Sequence, residues 1–157
     1  MIRLLCIGKN KDKNLTALEK EYIKRISAFD KLTIEEVKDE PDVHSERPSE
    51  ARLIKEKEGR RVLDKIKDSD FVVLLDLHGR MVTSEEFARN RESWSNRPGG
   101  LVFVIAGSLG PSEELVKRAN WRWKLSDLTF THMMCRTLVL EQIYRSFMIH
   151  YGRSYHK

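Results

Sequence analysis

Apolar residues occur along this chain either as short unbroken runs or at returns of three to four positions, and the two patterns alternate from end to end. Ile2–Ile7 is the first run and stops at Gly8. Leu15, Leu18, Tyr22, Ile26 and Phe29 then keep helical spacing, which predicts a helix over Leu15–Phe29. Leu32–Val37 reads as a half-exposed strand with Leu32, Ile34 and Val37 inward, and Pro41–Pro48 as a polar loop. A charged helix follows from Ser49 to Ile66, its apolar side made of Leu53, Ile54, Val62, Leu63 and Ile66. Phe71–Leu75 is continuously apolar, as expected of a central strand covered on both faces. Thr83-Ser-Glu-Glu86 has the form of a capping box at a helix start.

Asn96–Gly100 predicts a turn into a buried strand, Leu101–Ala106. Pro111 and Ser112 open another helix, with Glu113 and Glu114 at its positive dipole end. A short strand ending in Leu125–Phe130 comes next, and then a long helix beginning at His132. That helix is apolar over more than one face, which places it at the centre of the domain or at a subunit interface. Trp121 and Trp123 read as core or interface residues. The alternation implies one α/β domain over residues 1–157, with a mainly parallel sheet flanked by helices.

Charge and composition narrow the class. Charged residues make up 34% and hydrophobic ones 40%, a balance typical of soluble globular chains. No stretch approaches the roughly 20 apolar residues of a membrane span, and Leu4–Ile7 is too short for a signal-peptide core. The expectation is a cytoplasmic protein with no membrane partner. Cys6 and Cys135 stand alone, so neither a metal site nor a disulfide framework is expected. The net charge of +5 is uneven: residues 1–70 hold 17 Lys+Arg against 16 Asp+Glu, and residues 71–157 hold 12 against 8. A cationic excess beside a site favours a polyanionic partner such as RNA, although a solvated surface explains the same numbers.

Three strand ends carry the candidate chemistry: Leu75-Asp-Leu-His-Gly79, Ile105-Ala-Gly-Ser-Leu-Gly110 and Leu125-Ser-Asp-Leu-Thr-Phe130. Strand ends at the carboxyl edge of an open α/β sheet are where such folds bind ligands. Ala106, Gly107 and Gly110 are small where a flat ligand would press on the backbone, and Leu75, Leu125 and Leu128 would wall a slot for a ring such as adenine. The pattern is neither Gly-x-Gly-x-x-Gly nor a P-loop. His132, Arg136, Glu141, Tyr144 and Arg145 mark the last helix, and Tyr155-His156-Lys157 follow it. Glu141 and Arg145 also suit an i, i+4 ion pair.

Taken together, the opening strand with Gly8-Lys9, Glu56-Lys-Glu-Gly59, Leu75-Asp-Leu-His-Gly-Arg80, Phe103-Val-Ile-Ala-Gly107, Leu125–Phe130, Arg136, Glu141-Gln-Ile-Tyr-Arg145 and Tyr155-His-Lys157 resemble the small SPOUT-class methyltransferases. Members of that group methylate N3 of a pseudouridine in helix 69 of large-subunit ribosomal RNA. The resemblance covers essentially the whole chain. It implies a SPOUT α/β fold with a C-terminal trefoil knot, a homodimer, and S-adenosylmethionine as cofactor. It also implies a cofactor cradle of Leu75, Ala106, Gly107, Leu125, Ser126, Asp127, Leu128, Thr129 and Phe130. By the same resemblance the substrate is large-subunit rRNA, His156 is the candidate proton acceptor, Tyr155 orients the uracil, and Arg136 anchors a phosphate or a base carbonyl; the small chain and its modest basic excess make the assembled ribosome, rather than free rRNA, the expected form of that substrate.

Two positions depart from the family pattern: Ala106 where glycine is usual, and Thr131 where proline is usual. The first is expected to narrow the cofactor slot. Two other readings stand beside this one: a flavodoxin-like or Rossmann-like domain for another nucleotide, and a ribosome-binding factor of the same fold without catalysis.

Overall fold

A computed structural model describes all residues, Met1–Lys157. The elements in chain order are β1 (Ile2–Ile7), α1 (Lys13–Ile26), β2 (Leu32–Val37), α2 (Pro48–Leu63), β3 (Phe71–Arg80), α3 (Ser84–Ser95), β4 (Leu101–Ile105), α4 (Glu113–Arg118), β5 (Trp121–Trp123) and α5 (His132–His150). The strands form one sheet in the order β2-β1-β4-β3-β5, and every pairing is parallel. Each strand therefore ends at the same carboxyl edge.

Alternate side chains of the inner strands serve two cores. Ile2, Leu4, Cys6, Val73, Leu101, Phe103 and Ile105 face α1, α3 and α5. Leu5, Ile7, Val72, Leu74, Val102 and Val104 face the α2/α4 side, against Val62 and Leu115. The continuous apolar runs are the consequence of this burial on both faces. Aromatic packing fills the first core, where Phe87 and Trp123 stack at 4.5 Å between ring centroids. Cys6 is a buried hydrophobe whose thiol burial pushes up to about 12.

The helix α5 lies at the centre of its layer. Val139, Leu140, Ile143, Phe147 and Met148 are buried, and the helix packs on α1 and α3. The first of the two roles its composition allowed is met within the chain, where these central side chains are covered. Exposed large apolar residues include Leu77 in the outer part of β3, Met81 just after it, Leu128 and Phe130 after β5, and Met134 and Tyr151 near the two ends of α5.

Several boundaries differ from the sequence expectation, each for a local reason. The third strand continues through Arg80, because Trp123 pairs with Leu75 and again with Arg80 around an irregular register. The fifth strand stops at Trp123. Beyond it the Lys124 ammonium pairs with Asp127 at 2.6 Å and the Leu128 N–H donates to the Ser126 hydroxyl at 3.0 Å, which turns the chain out of the sheet. At the start of α3, Thr83 Oγ1 accepts from the Glu86 N–H at 3.1 Å, but the Glu86 carboxylate makes no return bond, so half of the capping box forms.

Thr131 caps α5, its hydroxyl accepting from the Met134 N–H at 3.3 Å. The Ala106 methyl is buried in the core on the α2/α4 side, so it packs inward rather than narrowing an open slot.

Where segment 76–80 meets β5, the contact is backbone to backbone. A Cβ at Gly79 would lie 2.6 Å from the Arg122 carbonyl carbon and oxygen. Gly79→Ala is therefore expected to lose about 1–3 kcal/mol, the usual cost of overpacking. That is a fall of several degrees in Tm for a domain of this size, and a thermal melt of the folded variant reads it directly.

Candidate functional site

The strand order defines where a ligand would sit. The connection from β1 leaves towards β2 through α1 on one face, and that from β4 leaves towards β5 through α4 on the other. Between β1 and β4 the carboxyl edge consequently opens into a crevice, the usual ligand position in open α/β sheets. A cavity of about 340 Å³ occupies it, lined by Ile7, Lys38–Asp42, Ile54, Glu58, Gly107–Leu109 and His132. Gly110, at φ +89°, closes the turn after β4 by donating its N–H to the Gly107 carbonyl at 3.0 Å.

Arg136 underlies this edge. It is fully buried: its Nη2 donates to the Gly8 carbonyl at 2.8 Å and its Nη1 to Glu36 Oε2 at 2.5 Å. Gly8, at φ +95°, turns its carbonyl to meet the guanidinium. Burial pushes the Glu36 carboxyl up, but the Arg136 hydrogen bond and the Asn10 N–H outweigh it, and the group sits below its ordinary range. An anchoring role on RNA phosphate does not match this placement, because the guanidinium is enclosed and already paired. Here Arg136 ties the last helix to the ends of β1 and β2. His132, one turn earlier, is held below the usual histidine range by burial and by the Arg136 charge.

Tyr155 and His156 lie elsewhere on α5. The Tyr155 hydroxyl donates to Glu141 Oε1 at 3.2 Å, and its ring meets Tyr144 edge-on at 4.9 Å. Burial, then the Glu141 charge, pushes that phenol up to about 12. His156 Nδ1 is 3.0 Å from Arg145 Nη1, and its Nε2 is 2.7 Å from Glu85 Oε1. Arginine can only donate, so Nδ1 accepts and Nε2 carries the proton that Glu85 receives. The hydrogen bond from His156 holds the exposed Glu85 carboxyl below its usual range. The i, i+4 spacing does form an ion pair, Arg145 with Glu141.

The three candidate catalytic residues are thus in two places. Glu141 and Arg145 lie 9 and 13 residues beyond His132, or ~14–20 Å along the helix axis at its normal rise. None of the hydrogen bonds of Tyr155 or His156 reaches residues 106–110 or 125–130. Of the cradle residues, Leu75 and Leu125 pack half-buried against the core, while Leu128 and Phe130 are exposed. Ser126, Asp127 and Thr129 belong to the irregular segment after β5. Glu36, Glu58 and Glu85 were not singled out by residue type alone. Glu58 stands in the Glu56–Gly59 motif, and for Glu36 and Glu85 no sequence signal marks the partner.

Part of the cationic charge is committed within the chain. Arg122 pairs with Asp76 at 2.7 Å, and Arg118 donates to the Lys67 and Asp70 carbonyls. Arg153 and Lys157 form no ion pair, and Arg80 lies over the Trp121 ring at 5.6 Å. An open hollow of about 400 Å³ beside β5 gathers His78, Arg80 and Arg122. No group of three His, Cys, Asp or Glu residues is placed to hold a metal ion, and no helix is long and apolar enough to cross a membrane.

The family model described as predicted SPOUT methyltransferase matches residues 1–156. Two solved structures share the fold. A probable methylase family protein from Haemophilus influenzae aligns with TM-score 0.59 and 12% identity, over 99% of this chain and 70% of its own. The putative methyltransferase Lpg2936 from Legionella pneumophila, solved with the bound cofactor SAM, aligns with TM-score 0.51 and 11% identity, over 93% and 66%. Relatives named ribosomal RNA large subunit methyltransferase H are far more similar. The one from Clostridium kluyveri is 45% identical over 157 residues and that from Clostridium acetobutylicum 43%, each covering 99% of both chains. The chain therefore belongs to the SPOUT methyltransferases and, within them, to the family of ribosomal RNA large subunit methyltransferase H.

Proposed function

We propose that the chain transfers a methyl group from S-adenosylmethionine to N3 of a pseudouridine in helix 69 of large-subunit rRNA, acting on the assembled ribosome as a cytoplasmic homodimer. The observation that carries this reading is the full-length likeness to relatives bearing that enzyme name. The trefoil knot implied by the motifs belongs to the same reading.

The residues present fit the cofactor. Gly107 keeps the crevice clear, since a Cβ there would lie 3.0 Å from Glu58 Oε1, and Leu128 and Phe130 on the segment after β5 are exposed and free to offer apolar contact. Leu75, Ala106 and Gly107 with Leu125–Phe130 would hold it, and S-adenosylmethionine supplies an electrophilic methyl on a sulfonium. The protein must also align N3 and remove its proton. Tyr155 and His156 are the candidates, and the Glu85–His156–Arg145 bonds fix the imidazole in one tautomer. The ring nitrogen able to accept a proton is Nδ1, now facing Arg145, so Arg145 must yield this contact when the base is bound.

A tail lying roughly 14–20 Å along α5 from His132 favours a site completed by the partner's tail. The basic hollow of His78, Arg80 and Arg122 suits an RNA phosphate. A net excess of only +5 gives weak, salt-sensitive affinity for RNA alone. Labelled-methyl transfer is expected on ribosomes and large subunits, with little on naked rRNA. Equal rates on rRNA fragments would overturn the ribosome requirement. Ribosome binding without transfer would favour a non-catalytic binding factor.

A further inference from the structure

The β1–α1 connection and α1 separate their charges in a way the rest of the chain does not. Residues 9–25 hold Lys9, Lys11, Lys13, Lys20, Lys24 and Arg25 against Asp12, Glu19 and Glu21. Every one of these acids is committed. The Asp12 carboxylate accepts from the Asn14 and Leu15 N–H groups at the head of α1, at 2.8 and 3.1 Å. Glu19 is buried and accepts from Asn10 Nδ2 at 2.9 Å, and Glu21 pairs with Arg25 at 3.0 Å. All five lysines are exposed, and none forms an ion pair; the lysines that do are Lys57 and Lys124. The charged helix α2 is built differently, since Arg52, Lys57, Arg60 and Arg61 each meet a glutamate. Stability does not account for the lysines either. Lys9, Lys11 and Lys13 stand at the positive end of the α1 dipole, where folding favours acids.

Lys13, Lys20 and Lys24 are spaced by seven and four residues, which puts them on one face of α1. They run for roughly 16 Å along the axis, with the small, exposed Ala17 between them. Lys9 and Lys11 continue the row to the carboxyl edge of the sheet. A linear row of unpaired cations fits a linear polyanion. Resting on the rRNA reading above, we propose that the outer face of α1 carries the sugar-phosphate backbone of the rRNA beside the target base. The inner face of the same helix borders the candidate catalytic tail. The Tyr22 ring lies 6.3 Å from that of Tyr144, which meets Tyr155 at 4.9 Å. Arg25, next to Lys24, stands over both Tyr22 and Tyr144, at 5.5 and 5.8 Å. Row and tail are therefore about one helix diameter apart, ~10 Å. Contacts of this kind set the register of the RNA and leave the choice of base to the site itself.

Two triple variants of the full chain test this. Lys13→Gln/Lys20→Gln/Lys24→Gln empties the row, and Lys65→Gln/Lys67→Gln/Lys117→Gln removes the same charge from exposed positions elsewhere. Filter binding is read on large ribosomal subunits and on protein-free large-subunit rRNA, both over a range of low salt. The row variant is expected to lose roughly 10- to 100-fold in affinity for both probes. Its slope of log affinity against log salt should be shallower by about 2–3, one phosphate for each lysine. In methyl transfer its KM for subunits should rise with kcat nearly unchanged, and its affinity for S-adenosylhomocysteine should match the wild type. The control triple should stay close to the wild type throughout. Equal losses in the two variants would overturn the proposal, because net charge alone would then be acting. An unchanged salt slope in the row variant would do the same. A loss on subunits with none on naked rRNA would assign the row to an acidic protein instead. A wild type that binds RNA through these lysines yet transfers no methyl group would remove the methyl-transfer reading and leave this one standing.

Discussion

Deleting Tyr155–Lys157 is expected to abolish methyl transfer while leaving the fold and most cofactor binding in place. The tail adds no strand and no helix; it lies on α5 through Tyr155–Glu141 and on α3 through His156–Glu85. Its loss leaves both cores intact, so Tm should fall only modestly. A positioned proton acceptor contributes about 10²–10⁴-fold, and His156→Ala should lower turnover by that order with a much smaller change in cofactor affinity. Mixing tail-deleted chains with Gly107→Val chains separates the two arrangements of the site. Recovery of activity in verified heterodimers means that one intact composite site has formed from two damaged chains. No recovery assigns each tail to its own subunit.

The second large effect is on stability. Glu36→Ala should cost about 3 kcal/mol, the lower end for breaking a buried ion pair, because the Glu36 side chain is 34% exposed and partly screened. The Arg136 guanidinium is left buried with the Gly8 carbonyl as its only partner, its Nε having none already. At ~2–4 °C per kcal/mol, Tm should drop by roughly 6–12 °C. The double variant Glu36→Ala/Arg136→Met should recover much of this, since no buried charge remains; a double variant as unstable as the single one would contradict the account. The pH dependence follows from the depressed carboxyl. Its folded-state value lies below the ordinary 4.5, so its contribution is complete above 4.5 and is lost as pH falls through the folded-state value. Glu36→Gln should flatten that acid limb in melts recorded from pH 7 downward.

The sheet was legible in the sequence because its inner strands are buried on both faces, and burial on both faces writes itself as unbroken runs such as Phe71–Leu75. Helix starts were legible where a side chain caps them, as Ser112 does for α4 and Thr83 does for α3. Interactions distant in sequence left no such mark. Arg136 meets Gly8 across 128 positions, and a helix apolar over more than one face gives no clue that one arginine points inward. Leu125–Phe130 reads as a strand continuation by composition, yet Ser126 and Asp127 bond locally and end it. The Ala106 methyl could not be placed without knowing which face of β4 its position continues. Site residues came from motif resemblance, and the pairing of His156 with Glu85, 71 positions apart, came from the fold alone.

The position of β1 has a consequence for how the molecule is made. Its inner neighbour is β4, with Ile2 beside Leu101, and the helix that covers their shared core is the last element of the chain. During synthesis at ~5–20 residues per second, the first strand waits roughly 5–20 s for that neighbour and longer for α5. Contacts this distant in sequence close slowly even after release. A nascent chain halted before residue 132 therefore exposes Ile2, Leu4, Phe103 and Ile105 together, and sheltering this apolar surface falls to chaperones until translation ends.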